Sequence, residues 1–363
     1  MSNTKDIAAI QACVSNPLDP GSIADRRIAG VIGAAPSRYS RSPALWNAAF
    51  ADLSIEARYV PLDVESARLN DLAAVFRDCE RLLGVNVTVP HKLAIIDFLD
   101  ELDPEAARVQ AVNTVVRSPD GRLVGYNTDG AGFVASILEP QPGQAKSFVA
   151  SLSGADVLLL GAGGSARAVA FHVSPLLGGG KLTICNRTVE HALALAAEIR
   201  AAGYNAEAIG ENELPRWAAR VMLIVNSTTK GQGGAFSLEP YSALAPARPS
   251  RARQQGNGGV VFAAAEEPID LAGIKVNNAA SLALASTIPQ SVGFYDLIYH
   301  PEETVFLRHG RDTGHRTMNG KAMIVCQAAI AFCTRICRAE LQARELDDDE
   351  TYRRVLTTMH NAW

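Results

Sequence analysis

Lys92, which closes the run Asn86-Val-Thr88-Val-Pro-His-Lys92, and Asp129, within Gly125-Tyr-Asn-Thr-Asp-Gly130, are the residues of this chain whose types best suit proton transfer. An ammonium beside a carbonyl oxygen stabilises the alkoxide charge that develops on reduction and then donates its proton; in the reverse direction the amine accepts one. A carboxylate orients that ammonium. Taken singly, each residue has an ordinary explanation: a lysine after Pro-His is a solvated residue at a helix start, and an aspartate before Gly130 is a turn or helix-cap carboxylate. The weight comes from a second motif about thirty residues downstream of Asp129, Gly161-Ala162-Gly163-Gly164-Ser165-Ala166. One chain then carries an acid/base candidate and a glycine-rich turn, a combination that points to a dehydrogenase.

The glycine turn comes directly after the apolar run Asp156-Val-Leu-Leu-Leu and precedes a helical segment at about 166–176, the setting a dinucleotide fingerprint requires. Gly161 and Gly163 lack a Cβ, so the backbone can turn sharply and approach a pyrophosphate; Ala166 is small enough for the helix to pack on the sheet. Helix-terminal amides then face the phosphates. A purely structural glycine turn is the other reading. After the next strand, where an NAD enzyme carries an acid for the ribose hydroxyls, the chain has Asn186-Arg187-Thr188. Arg187 suits a 2′-phosphate because it is permanently cationic and bonds bidentately, so NADP is expected as cofactor. A surface arginine opening a helix would look the same.

These side chains need two α/β domains to position them. Arg27-Ile-Ala-Gly-Val-Ile-Gly, Ala57 to Leu62, Leu82 to Val89 and Val112 to Val116 are strand-like, with helices from Pro43 to about Leu53, at about 68–78 and at 91–99. The alternation predicts a first α/β domain with a largely parallel sheet, over 27–138. Glu139-Pro-Gln-Pro-Gly-Gln-Ala-Lys marks its boundary. Beyond it, strands at 156–160, Lys181-Leu-Thr-Ile-Cys and Met222-Leu-Ile-Val-Asn, with helices at about 166–176 and 189–202, predict a doubly wound, Rossmann-type cofactor domain over 148–318. From Asn319 onward apolar residues recur at helical period, and this helix is expected to return to the first domain, which thus also takes 319–363. Residues 1–26 are expected to form a polar leader, and Glu345-Leu-Asp-Asp-Asp-Glu a solvated helix surface or mobile tail.

Composition excludes several classes. With 363 residues, 48% of them hydrophobic, the chain can build two ordinary cores, and a net charge of −4 with mixed signs leaves no basic stripe for nucleic acid. The first ten residues lack an export pattern, and no apolar run approaches the roughly 20 residues that span a bilayer. Six cysteines contain no CxxC pair, and Cys326, Cys333 and Cys337 share a helical face; buried thiols in a reducing cytoplasm are expected, and no metal site.

The motifs together resemble the shikimate dehydrogenase family. The resemblance spans roughly residues 28–340 and rests on Ser40-Arg-Ser42-Pro43 with Asn47-Ala-Ala-Phe, the Asn86 to Lys92 run, Ala111-Val-Asn113-Thr, Gly125 to Gly130, the glycine loop, Asn186-Arg-Thr, Asp296-Leu-Ile-Tyr299-His-Pro, and Asn319-Gly320 with Met323 and Gln327. It implies reversible reduction of 3-dehydroshikimate to shikimate with NADPH, Lys92 carrying the proton and Asp129 orienting it. Ser40 and Ser42 would bind the substrate carboxylate with help from Tyr299, and Thr88, Asn113 and Gln327 would bond the ring hydroxyls or hold the dyad. Met323 would lie against the nicotinamide, near the Asn226 to Gly231 loop. Outside the resemblance, Ser40 and Ser42 are helix-capping loop residues and Met323 is core.

The chain departs from the family pattern at Tyr39 and Trp46, which stand where histidines are common and would reshape the carboxylate end. It also departs at His191, where a second basic residue often supports the 2′-phosphate, and at Lys321. An insertion of about forty residues lies between Gly231 and Gly293, within 232–292; its basic, glycine-rich middle, Ala247 to Gly259, is expected to be flexible, as surface elaboration or as a lid or partner surface. A quinate or aminoshikimate dehydrogenase, or a regulator that binds NADP without turnover, are the alternatives. The partner expected is a small-molecule substrate, with no nucleic acid and no membrane, for a cytoplasmic monomer or homodimer.

Overall fold

The computed structural model describes residues 2–233, 238–247 and 270–363. The chain divides into two compact units, Met1–Gly132 with Ile324–Trp363, and Phe133–Met323.

The first unit is built on six strands, β1 (Arg27–Gly33), β2 (Ala57–Asp63), β3 (Leu82–Val87), β4 (Glu101–Leu102), β5 (Thr114–Arg117) and β6 (Leu123–Tyr126), in the order β2-β1-β3-β5-β6-β4. The sheet is parallel-rich, as expected: β1 runs parallel to β2 and β3, and β4 to β6, while β5 alone is antiparallel to its neighbours, β3 and β6. The reason is local. Gly121, at φ +89, closes a tight turn in which Gly121 N donates to Ser118 O, and Ser118 N donates to Arg122 O. That hairpin places Thr114 opposite both Asn86 and Tyr126, directly under the residues of interest.

The expected helix at 68–78 is present as Leu69–Asp78, whose Leu69, Leu72, Ala73 and Phe76 are buried, a helical spacing that turns one stripe to the core. The helix from 91 is short, His91–Ala94, and passes into a tighter turn over Ile95–Phe98. The N-terminal residues do not form a polar leader. Ser2–Gln11 is a helix, and Ile7, Ile10, Cys13, Val14 and Ile23 join Leu72, Phe76, Val60 and Leu62 in the core; burying these apolar residues outweighs the polar character of their neighbours.

At the other end, Lys321–Ala331 continues through a π-helical turn, Phe332–Ile336, to Arg338–Ala343. The acidic stretch 345–350 leads into the helix Asp349–Asn361, with the Asp348 side chain accepting from Thr351 N at 2.7 Å. Arg354 and Thr358 of that helix bond the Asp52 carboxylate at 2.9 and 3.0 Å.

The second unit has β7 (Val157–Leu160), β8 (Leu182–Cys185), β9 (Ala206–Ile209), β10 (Leu223–Asn226), β11 (Gly293–Asp296) and β12 (Thr317–Met318). All are parallel, in the order β12-β11-β10-β7-β8-β9, the doubly wound arrangement whose order reverses beside β7. The Pro/Gly/Gln stretch belongs to this unit: Gln141 Nε2 donates to Ser136 O at 3.3 Å and Val149 N to Ile137 O at 2.8 Å, tying it to the helix ending at Leu138.

Within the inserted region the described parts are packed. Ala243, Leu244 and Ala285 are core residues, and Asn277 of the helix Leu271–Ala285 bonds Ser242 N at 2.7 Å and Ala245 O at 2.9 Å. The basic middle, residues 248–259, lies outside the described residues.

Candidate active site

Lys92 Nζ donates to Asp129 Oδ2 across 2.5 Å. The two side chains differ in exposure, 24% for Lys92 and 4% for Asp129, so the carboxylate is fixed inside while the ammonium keeps a face open. Topology sets this up. Lys92 sits in the short helix His91–Ala94 that follows β3, and Val112 N donates to its carbonyl at 2.8 Å. Asp129 opens the helix after β6; the cap is Thr128, whose carbonyl accepts from Gly132 N at 2.9 Å, which leaves the Asp129 carboxylate free for the lysine. Asn127 Oδ1 accepts from Asp129 N at 3.0 Å and holds the approach.

Asn113 is the hub of the buried network. Its Oδ1 accepts from Thr128 N at 2.9 Å, and because a backbone amide only donates, the Nδ2 group must face the other way. There it meets Gln327 Oε1 at 2.7 Å, Asp129 Oδ1 at 2.8 Å and Thr128 Oγ1 at 3.0 Å. Two hydrogens among three acceptors leave acceptor capacity for a ligand hydroxyl. Gln327 arrives from the C-terminal helix, and Gly132 admits it: a Cβ on Gly132 would lie 2.5 Å from the Gln327 Cβ.

The serine segment lies at the end of the same sheet. Ser40 Oγ accepts from Ser42 N at 3.2 Å, and nearby the Tyr59 OH donates to Asn86 Oδ1 at 2.7 Å. Asn86 Nδ2 in turn reaches Thr114 Oγ1 at 3.0 Å, and Thr114 Oγ1 donates to Asn113 Oδ1 at 3.0 Å. Tyr59, the dyad and Gln327 are therefore joined by one continuous set of hydrogen bonds. Burial holds the Tyr59 phenol well above its ordinary value, keeping it a neutral donor.

Thr88 N donates to Ile32 O at 2.9 Å and the Thr88 side chain packs where Gly33 has no Cβ. Tyr59, Asn86, Thr114 and Thr128 were not among the sequence candidates as site residues; Asn86, Thr114 and Thr128 figured only as members of quoted motifs, and Tyr59 only as part of a strand. Trp46 lies in the aromatic core of the first unit. It is fully buried, stacked on Tyr59 at 4.8 Å and packed on Phe332 at 5.3 Å, because its large apolar ring gains most inside the aromatic core. Tyr39 is 41% exposed.

In the second unit, the glycine turn has the form a pyrophosphate needs. Gly161 sits at φ +110, and a Cβ there would lie 2.5 Å from Ser227 Oγ; around Gly163 there is open space. The helix Gly164–Val173 begins at Gly163 with no side-chain cap, so its first amides are available to an anion. Ala166 is fully buried beneath it. At the end of β8, Asn186 Nδ2 donates to Thr188 O at 2.9 Å and shapes the turn, with Arg187 and Thr188 exposed. Arg187 makes no ion pair among the described residues.

Further along the sheet edge, Asp296 accepts from Asn226 Nδ2 at 2.9 Å, Ile298 N at 3.0 Å and Thr304 Oγ1 at 2.7 Å, and Asn226 Oδ1 accepts from Thr228 N at 2.9 Å. This fixes the loop Asn226 to Gly231 against the segment that carries Tyr299. Tyr299 is half-buried and Met323 is 4% exposed. His191 makes no ion pair among the described residues, and Lys321 opens the C-terminal helix, its N donating to Asn319 Oδ1 at 3.1 Å. All six cysteines are buried and none forms a disulfide; burial pushes the Cys185 and Cys333 thiols up to about 12, which makes them inert core residues. Among the described residues, no cluster of His, Cys, Asp or Glu could hold a metal ion, and no helix is long and apolar enough to cross a membrane.

A doubly wound unit with an uncapped glycine turn, and beside it in sequence an α/β unit with a Lys–Asp pair in a buried polar network, define the class of two-domain, dinucleotide-dependent oxidoreductases. Comparison with known proteins narrows this. Residues 31–115 match the shikimate dehydrogenase substrate binding domain and residues 143–233 match the shikimate / quinate 5-dehydrogenase family. The shikimate dehydrogenase (NADP(+)) of Lysinibacillus sphaericus is 36% identical over 82% of this chain and 88% of its own length. The chain belongs to the shikimate dehydrogenase family. Among solved structures, the Thermus thermophilus shikimate 5-dehydrogenase in complex with NADP(H) and shikimate is 29% identical with a TM-score of 0.62, covering 93% of this chain and 99% of that one. The quinate dehydrogenase from Corynebacterium glutamicum in complex with NAD is 25% identical with a TM-score of 0.63, covering 93% and 99%.

Proposed function

We propose that this oxidoreductase catalyses the reversible NADPH-dependent reduction of 3-dehydroshikimate to shikimate, a step of aromatic amino acid biosynthesis. The observation that carries the proposal is the Lys92–Asp129 pair, 2.5 Å apart, with the carboxylate buried and held on its other oxygen by Asn113. Asp129 and Asn113 fix the lysine, and Lys92 presents its ammonium to the substrate ketone. As hydride reaches the carbonyl carbon, the ammonium stabilises the charge on oxygen and gives it a proton; in shikimate oxidation the amine takes the proton back.

Ser40 and Ser42 bind the substrate carboxylate with Tyr299, and Thr88, Asn113 and Gln327 take the ring hydroxyls. Uncharged donors and acceptors suit a small polyol acid, because an analogue missing one hydroxyl leaves a buried group unpaired. NADPH supplies the hydride when bound. Gly161 to Ala166 would cradle its pyrophosphate, Asn186, Arg187 and Thr188 would hold the 2′-phosphate end, and Met323 would pack near the nicotinamide; the uncapped helix, and an Arg187 with no ion pair among the described residues, support this fit. The protein works on a small molecule in the cytoplasm, as a monomer or homodimer.

The test is initial-rate oxidation of shikimate, quinate and aminoshikimate with NADP and with NAD, followed by absorbance of the reduced nicotinamide. Dominant turnover of shikimate with NADP is expected. A preference for quinate or aminoshikimate would replace the substrate assignment, and NADP binding without turnover of any of them would make the chain a cofactor-binding regulator.

A further inference from the structure

We propose that the N-terminal segment Gln11–Leu18 is a positioning brace for the serine segment, acting through Asp63 and Ser37. The inference rests on the reading of Ser40 and Ser42 as carboxylate ligands.

Strand β2 is an edge of its sheet, and an unpaired edge exposes backbone donors and acceptors. Two asparagine side chains close it in place of a further strand. Asn47 does so for the first half, its Oδ1 accepting from Tyr59 N and its Nδ2 donating to Tyr59 O, both at 2.9 Å. Asn16 does so for the second half: its Oδ1 accepts from Asp63 N at 2.7 Å and its Nδ2 donates to Pro61 O at 3.0 Å. Ser15 N adds a bond to Asp63 O at 2.9 Å. Asp63 is therefore held on both sides of its backbone by residues 15 and 16.

The Asp63 carboxylate uses that fixed position to hold the segment leading to the serines. Its Oδ1 accepts from Ser37 N at 2.9 Å and its Oδ2 from Ser37 Oγ at 2.5 Å. Ser37 lies in the short turn Pro36–Tyr39, whose Pro36 O accepts from Ser40 N at 2.9 Å. Ser40 is thus three linked contacts from Asn16. The brace is itself anchored: Gln11 Nε2 donates to Asn16 O at 3.1 Å, Gln11 Oε1 accepts from Leu18 N at 2.8 Å, and Arg68 donates to Ala12 O at 2.8 Å. Residues 11–18 lie ahead of the segment that matches the family's substrate binding domain, which begins at residue 31.

The experiment uses the full chain with Asn16→Ala, Ser37→Ala and Ser37→Thr. It measures kcat and KM for shikimate, for its methyl ester and for NADP, together with hydrogen exchange of the peptide covering 34–42. Asn16→Ala and Ser37→Ala are expected to raise the shikimate KM about tenfold, the scale of one lost positioning hydrogen bond, with kcat and the NADP KM within about twofold on the same reasoning. Exchange over 34–42 is expected to speed up while the peptide covering β3 keeps its rate. Ser37→Thr restores the wild-type values, and the ester, which lacks the anionic group, shows no rise in KM. An unchanged shikimate KM with unchanged exchange over 34–42 would overturn the brace, as would equal KM rises for acid and ester. Ser42→Ala separates the two readings: if it leaves the acid-over-ester preference intact, the carboxylate assignment fails and the proposal falls with it; if it abolishes that preference while Ser37→Ala does not reduce it, only the brace fails.

Discussion

Asn113 Nδ2 lies 2.8 Å from Asp129 Oδ1, the carboxylate oxygen that Lys92 does not occupy. One side chain thereby decides which oxygen is offered to the lysine. Asn113→Ala frees the carboxylate to rotate and strips Gln327 of its donor, and should lower kcat roughly 10- to 100-fold, as expected for a buried group left unpaired. Steady-state rates with saturating NADP check this; a kcat within a factor of two of wild type would remove Asn113 from the positioning network.

Lys92→Ala removes the proton donor itself. Turnover should fall by about two to four orders of magnitude with NADPH affinity unchanged, because general acid catalysis contributes on that scale and the lysine lies in the other unit from the glycine turn. Initial rates and a fluorescence titration of NADPH give the two numbers. Weakened NADPH binding would mean that Lys92 serves the cofactor as well.

Arg187→Ala tests cofactor choice. A guanidinium with no ion pair among the described residues can be removed without stranding a carboxylate, so the loss should fall on NADPH and spare NADH, with a roughly 10- to 100-fold drop in selectivity, the range of one charge-assisted contact. Equal losses for both nucleotides in a side-by-side kcat/KM comparison would show that Arg187 shapes the turn and does not read the phosphate.

Gly132→Ala tests close packing. The new methyl would lie 2.5 Å from the Gln327 Cβ and 2.7 Å from its backbone N, so Gln327 has to move. A loss of about 1–3 kcal/mol of stability is expected from such overpacking, read by denaturant unfolding, with a fall in kcat from the displaced amide.

Asp296 gives a pH signature. Burial, against the bonds from Ile298, Thr304 and Asn226, pushes its carboxyl up from 3.8 to about 7. Between those values the folded chain holds a proton that the unfolded chain has released, so the contribution of this group to stability falls as pH rises through that window and is level above it. Asp296→Asn does not titrate. The stability of wild type relative to that variant should therefore decline from about pH 4.5 to about pH 7, and a flat difference in denaturant midpoints would show that the three donors keep Asp296 ionised throughout.

Much was legible along the chain because it depends on near neighbours. The glycine turn between a strand and a helix, the period of Leu69 to Phe76, the helix from Ser42 to Asp52 and the pairing of a lysine motif with an aspartate motif are local patterns, and the doubly wound order of the second unit follows from their alternation. The resemblance named Asn113 and Gln327, but the bonds that join the network were not legible. Tyr59, Asn86, Thr114 and Asn113 meet only because β5 lies antiparallel beside β3 in one register, and a strand's partner and register are set by packing of the whole sheet. For Trp46 the place beside Asn47 was visible, and the stacking on Tyr59 and Phe332 was not. The first 26 residues read as a leader because their apolar residues are too few to announce a helix, and their value arises only on contact with Leu72 and Phe76. Sequence alone thus determined which chemistry the chain carries and on which two kinds of domain. Tertiary structure decided which polar atoms face each other, because hydrogen-bond partners distant in the chain are chosen by burial and register and not by adjacency.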